Sequence, residues 1–143
     1  MKSVIYEFDP VIYPFPLLIT KDCDPEDLRT RFHLILDRKN CTEIENQFDP
    51  DLYTGAKTGM LVRKDSDRMY YMINILQPDT IDIGELVHEV FHVNTFNSWW
   101  LNFNPPQPGT DEPQAYFCGW VARCVDSVLK DNPEKMKGKL LND

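Results

Sequence analysis

Apolar residues recur along this chain in rhythms that change from one stretch to the next. From Val11 to Thr20, bulky apolar residues are interrupted by Pro14 and Pro16. Proline has no N–H to give a ladder, so these two belong at a sheet edge or outside the sheet. Asp24-Pro25-Glu26-Asp27 has the form of a helix start, with a capping aspartate, proline at the first helical position and acids in the first turn. The spacing of Leu28, Phe32 and Ile35 or Leu36 predicts that this helix runs to about Asp37, with His33 between its core positions. Residues 40–58 are polar and turn-rich and read as loop. Gly59 to Arg63 and Arg68 to Leu76, split by Lys64-Asp65-Ser66-Asp67, predict a hairpin. Its second strand is bulky and nearly all apolar, which predicts cover on both faces.

Beyond Pro78 the period lengthens. Asp82 followed three residues later by Glu85 is an acidic capping box, and the helix it opens is expected to reach about Asn97. On a wheel, Leu86, Val87, Val90, Phe91 and Val93 fill one arc of roughly 160°. Glu85, His88, Glu89 and His92 take the other side, with Phe96 among them. A Pro-, Asn- and Gly-rich loop follows. Asp111 with Gln114 is a second capping box, tolerant of Pro113 in the first turn, and predicts a helix from Glu112 to about Lys130. Trp99, Trp100 and Phe103 read as core, and the lysine-rich tail from Glu134 as frayed. Strands and helices in this order make an α+β fold, a small antiparallel or mixed sheet packed on two long helices.

The second helix carries the chemistry. His88-Glu89-Val90-Phe91-His92 is an H-E-x-x-H sequence. At about 100° per residue, imidazoles four positions apart share a face and can reach one metal ion, while Glu89 stands roughly 60 to 100° round from them, where a base for a metal-bound water belongs. Neutral imidazole is a ready ligand for Zn²⁺, at about 2.0–2.1 Å per nitrogen. Two of the three histidines in the chain fall in this pentapeptide. A catalytic zinc also needs a third protein ligand. Glu112 opens the last helix, and Ala115, Gly119 and Ala122 continue its strip. Small residues let one helix press closely on another, which would bring Glu112 to the metal. Asp111 is the fallback, and His33 is a weaker candidate better read as structural.

Composition narrows the partners. The 143 residues suit one domain, 1–143, with apolar residues at 42% and charged residues at 27% as in ordinary globular proteins. Fifteen Lys and Arg against 23 Asp and Glu give a net charge of −8. That balance argues against nucleic acid and anionic membrane surfaces, which call for a basic face. No apolar run approaches the roughly 20 residues of a spanning helix. The opening MKSVIYEFDP does not read as a signal peptide, so a cytoplasmic protein is expected. Cys23, Cys41, Cys118 and Cys124 form no C-x-x-C pair and are expected to be reduced and buried.

HEVFH followed by DEPQAYFCGWVARC resembles the short zincin-like metallopeptidases of the gluzincin kind, in particular ImmA/IrrE-type proteins and small zincin-like proteins of tailed bacteriophages. The resemblance covers residues 68–128 and leaves 1–60 unrecognised. It implies a minimal zincin-like domain with its metal-site core at 68–130, zinc ligands His88, His92 and Glu112, and Glu89 as catalytic base. It also implies that the strand Met69 to Leu76 borders a peptide cleft. The family's transition-state stabiliser would fall best on Tyr116, with Tyr70, Tyr71 and His33 less suited, and a carboxylate orienting a ligand histidine on Glu85 or Asp126. The function expected is hydrolysis of a peptide bond in a peptide or protein substrate. The alternative is a non-catalytic binding or structural module on that scaffold, such as a bacteriophage assembly or host-interaction protein, with a protein partner at the N-terminal half.

Overall fold

The computed structural model describes residues 3–141. In chain order the elements are β1 (Val4–Phe8), β2 (Leu17–Asp22), α1 (Pro25–Arg31), β3 (Phe32–Ile35), β4 (Cys41–Glu43), β5 (Ala56–Arg63), β6 (Met69–Ile75), α2 (Ile83–Leu101), α3 (Glu112–Leu129), a 3₁₀ turn (Pro133–Met136) and β7 (Lys139–Leu140). The strands form one seven-stranded mixed sheet in the order β4-β3-β5-β6-β2-β1-β7. Only β2 and β6 pair in parallel, Leu17 opposite Tyr71 and Thr20 opposite Asn74. The fold is α+β, and strands from the first 60 residues pair directly with β5 and β6.

Alternation along the central strands supplies a core on each face. Tyr71, Ile73 and Ile75 of β6, with Leu17 and Ile19 of β2, meet Val90 and Val93 of α2 and Phe117, Val121, Cys124, Val125 and Val128 of α3. Tyr70 and Met72, with Leu18 and Leu61, meet Leu28, Phe32, Ile44 and Phe48 on the opposite face. The β5–β6 hairpin forms as its pattern predicts, with Asp67 in the left-handed region at the turn. Pro14 and Pro16 precede β2 and stay outside its ladder; the Pro16 carbonyl accepts a hydrogen bond from Tyr71 N.

Some local expectations are corrected. The first helix stops at Arg31, and Phe32 to Ile35 is strand, paired with Leu61–Arg63 of β5 and Cys41–Glu43 of β4. Phe32 satisfies either geometry, since its ring is buried both as the last helical neighbour of Leu28 and as the first strand position. The pairing with β5 decides for strand, and Leu36 is left exposed. The stretch read as loop holds β4 and the start of β5. The tail is not frayed: β7 pairs with β1, Tyr6 opposite Leu140, and Leu141 N donates to Ile5 O. Gly138 lets this segment lie on the core, because a Cβ there would stand 2.6 Å from the Phe8 ring. Helix α2 runs one turn past Asn97 to a left-handed cap at Asn102. There Arg38, from the β3–β4 connection, donates to the Trp99 carbonyl and the Asn102 side chain. Trp100 packs on the core, but Trp99 and Phe103 are exposed. Cys124 is buried as expected, whereas Cys41 is exposed on β4.

Candidate metal centre

Asp82 caps α2 as the sequence indicates, its Oδ1 accepting from Glu85 N at 2.8 Å. The helix then lies across β5 and β6, and its rotation about its own axis decides what the H-E-x-x-H residues face. The buried side is Glu89, Val90, Val93 and Asn97, while Val87 and Phe91 are 57% and 67% exposed. This departs from the expected apolar arc. The helix has apolar residues on nearly every side, so their distribution defines its orientation poorly. A buried polar contact supplies the missing constraint: the Tyr71 hydroxyl on β6 donates to Asn97 Oδ1 at 2.9 Å. Turned this way, α2 carries Glu89 inward to 5% exposure and leaves His88 and His92 at the rim.

The imidazoles converge. His88 Nε2 and His92 Nε2 are 3.0 Å apart, with ring centroids 4.7 Å apart. The contact is a hydrogen bond between the two rings; nitrogens each about 2.05 Å from one tetrahedral ion stand about 3.3 Å from each other, so a small separation of the rings would seat a shared ion. A Glu89 carboxylate oxygen completes a group whose ligand atoms all lie within 4.8 Å of one another, the one such His/Cys/Asp/Glu group among the described residues. Glu89 Oε2 and Thr58 Oγ1 on the strand below are both buried with no partner in good hydrogen-bond geometry, although the hydroxyl is close enough to draw the Glu89 pKa down. An unpartnered buried carboxylate oxygen is costly, and a cation or a proton is what would satisfy it. The two imidazoles, with the carboxylate beside them, fit Zn²⁺ or a similar transition ion.

These side chains open onto a groove of about 610 Å³ walled by Leu52, Tyr53, Ala56, Lys57, Thr58 and Phe96. Glu85 lines an adjoining cavity that shares His88 and Glu89 with the groove, and lies against Gly55; that residue has φ +72°, and a Cβ on it would stand 2.5 Å from Glu85 Oε2. Lys57 Nζ sits 4.0 Å from the centroid of the Tyr53 ring. Burial pushes the Glu89 carboxyl above its ordinary range, opposed by His88, Lys57 and the nearby Thr58 hydroxyl. Burial, then the charges of His88 and Lys57, push His92 below its ordinary value. That favours the neutral imidazole, which is the form that ligates metal.

The other residues singled out by sequence do not join this group. Glu112 is exposed at the start of α3 and lies outside the cluster. Two packing facts account for this. The buried stripe of α3 is Phe117, Val121, Cys124, Val125 and Val128, which turns the Glu112 strip roughly 160° away from the core. Ala115 is accordingly exposed, and a Cβ on Gly119 would meet only Arg123. In addition, α3 meets α2 through Gln114, whose Oε1 accepts from Asn94 Nδ2 and Ser98 Oγ, each at 3.1 Å. That is a different side of α2 from His88 and His92. Gln114 is thereby used up, and the second capping box does not form: Asp111 makes no side-chain cap. Tyr116 is 73% exposed on the outward strip of α3 and does not wall the groove. Tyr70 and Tyr71 are buried on opposite faces of β6, His33 pairs with Glu43 on β4, and Asp126 pairs with Lys130. The strand along the groove is β5, where the resemblance implied β6. Lys57 and Tyr53 escaped sequence reading because the stretch holding them read as featureless loop.

No protein-family model, curated protein or solved structure matches the chain. The likeness to zincin-like peptidases thus rests on the motif residues alone. Among the described residues, no helix is long and apolar enough to cross a membrane.

Proposed function

We infer that this chain is a zinc-dependent hydrolase acting on a peptide bond, with His88 and His92 as metal ligands and Glu89 as general base. The carrying observation is the pair of imidazole nitrogens 3.0 Å apart beside a buried carboxylate with an unpartnered oxygen. Bound there, zinc would polarise a carbonyl and bring the pKa of a water toward about 7. Glu89, adjacent to both imidazoles, takes the proton of the attacking water and delivers it to the leaving amine. A peptide suits the groove. The pairing of β3 with β5 stops at Leu61, so the segment Ala56–Met60 has an edge with no strand partner among the described residues, open to an extended main chain. In this reading the two imidazoles would hold the ion without the third protein ligand expected from the sequence, since Glu112 is turned outward.

The exposed position of Glu112 favours a second reading, a zinc-holding module without catalysis that works by docking. One set of measurements separates the two. Under the hydrolase reading the full chain binds one zinc, His92→Ala abolishes binding, and Glu89→Gln retains zinc but loses at least about 100-fold in cleavage of a peptide library. Zinc at one per chain with no cleavage supports the module. Glu89→Gln cleaving as fast as the parent removes the base assignment.

A further inference from the structure

The groove holds one further charged group whose role no motif announces. Among the residues walling it, Lys57 is the only lysine or arginine. It stands on β5, on the other wall from α2, and its ammonium is held over the Tyr53 ring at 4.0 Å. A lysine on a four-carbon stem ordinarily wanders in solvent. Here a cation–π contact confines it. It lines the same groove as His88, Glu89 and His92, so it stands beside the reacting centre. The chain is acidic overall and Glu89 walls the same groove, so this positive charge opposes the local field. Such a charge is of use where negative charge develops during reaction.

We propose that Lys57 is the oxyanion-binding cation of this groove and that Tyr53 is the positioning residue that holds it. The inference rests on the hydrolase reading and deepens it. In the step concerned, the water oxygen bonds to the carbonyl carbon and Glu89 takes the proton. The carbonyl oxygen becomes an oxyanion facing the Lys57 ammonium. The C–N bond then breaks, the carbonyl re-forms, and the amine leaves with the proton from Glu89. Lys57 keeps its own proton throughout. The same geometry selects for tetrahedral anions over planar neutral amides.

The test uses the full chain with zinc and two readouts. The first is binding of a phosphonamidate dipeptide, whose anionic tetrahedral phosphorus imitates the oxyanion, against the matching uncharged amide. Lys57→Met is expected to weaken phosphonamidate binding at least tenfold, with amide binding and zinc stoichiometry unchanged. Lys57→Arg and Tyr53→Phe should keep most of the affinity, whereas Tyr53→Leu should lose about threefold to tenfold through the freed ammonium. The second readout is peptide cleavage, where Lys57→Met should lower kcat by about 100-fold with little change in KM. Equal phosphonamidate affinity in parent and Lys57→Met overturns the proposal, whether or not the parent cleaves peptide. If the parent cleaves nothing yet its phosphonamidate affinity depends on Lys57, the hydrolase reading falls and the anion-binding role stands.

Discussion

Single residues here are tuned more by burial than by charged neighbours, and the thiols make this measurable. Burial pushes Cys23 up to about 11 and Cys124 up to about 12. A raised thiol pKa means that the native state holds its proton where the unfolded chain, with thiols near about 8.5, has released it. The unfolded state then binds fewer protons, so stability falls as pH rises from about 8.5 toward the folded values, and is unaffected below. The melting temperature should therefore decline above about pH 8.5, and a Cys23→Ala, Cys124→Ala chain should decline less. At pH 8, iodoacetamide should label the exposed Cys41 while Cys124 stays unlabelled until denaturant is added; prompt labelling of Cys124 would contradict its burial. The histidine pair was legible at this scale because two residues one helical turn apart need only a helix to meet. Cys41 was not. Its exposure follows from a strand whose partner β3 had itself been read as helix.

At the scale of elements, the decisive contacts join segments far apart in sequence. Helix α2 is oriented by the Tyr71–Asn97 hydrogen bond, and this sets Glu89 inward and Phe91 outward. Tyr71→Phe should destabilise the fold by about 1–3 kcal/mol, because Asn97 is left with a buried unpaired oxygen. Chemical denaturation checks the loss. A value within a few tenths of a kcal/mol would mean that α2 is oriented by apolar packing alone. The start of α2 at Asp82, the β5–β6 hairpin and the limits of α3 were readable because each is written in a few adjacent residues. The end of α1 was not, since Leu28 and Phe32 suit a helix and only pairing with Leu61–Arg63 turns the chain into strand. Gln114 shows the same limit: its local pattern offers a capping box, but the α2 side chains Asn94 and Ser98 claim its amide oxygen.

The whole molecule separates its stability from its candidate chemistry. Both apolar clusters close on the two faces of the sheet without His88 or His92, and α2 contributes Val90 and Val93 to the upper one from the side away from the imidazoles. A chain of this size with a core on each face needs no ion to fold, unlike small domains whose metal is their core. Chelation should accordingly leave the far-ultraviolet circular dichroism unchanged. Under the proposed function zinc would act instead as a ligand of the native state, and at a hundredfold above its Kd should add about 2.7 kcal/mol, a rise of several degrees in Tm. His88→Ala should abolish that rise while keeping the melting temperature of the chelated parent, because an exposed side chain outside both clusters carries little stability of its own. Unfolding on chelation would make the ion a structural member of the fold, and the groove would then have to be read as the surface of a core instead of a place for chemistry.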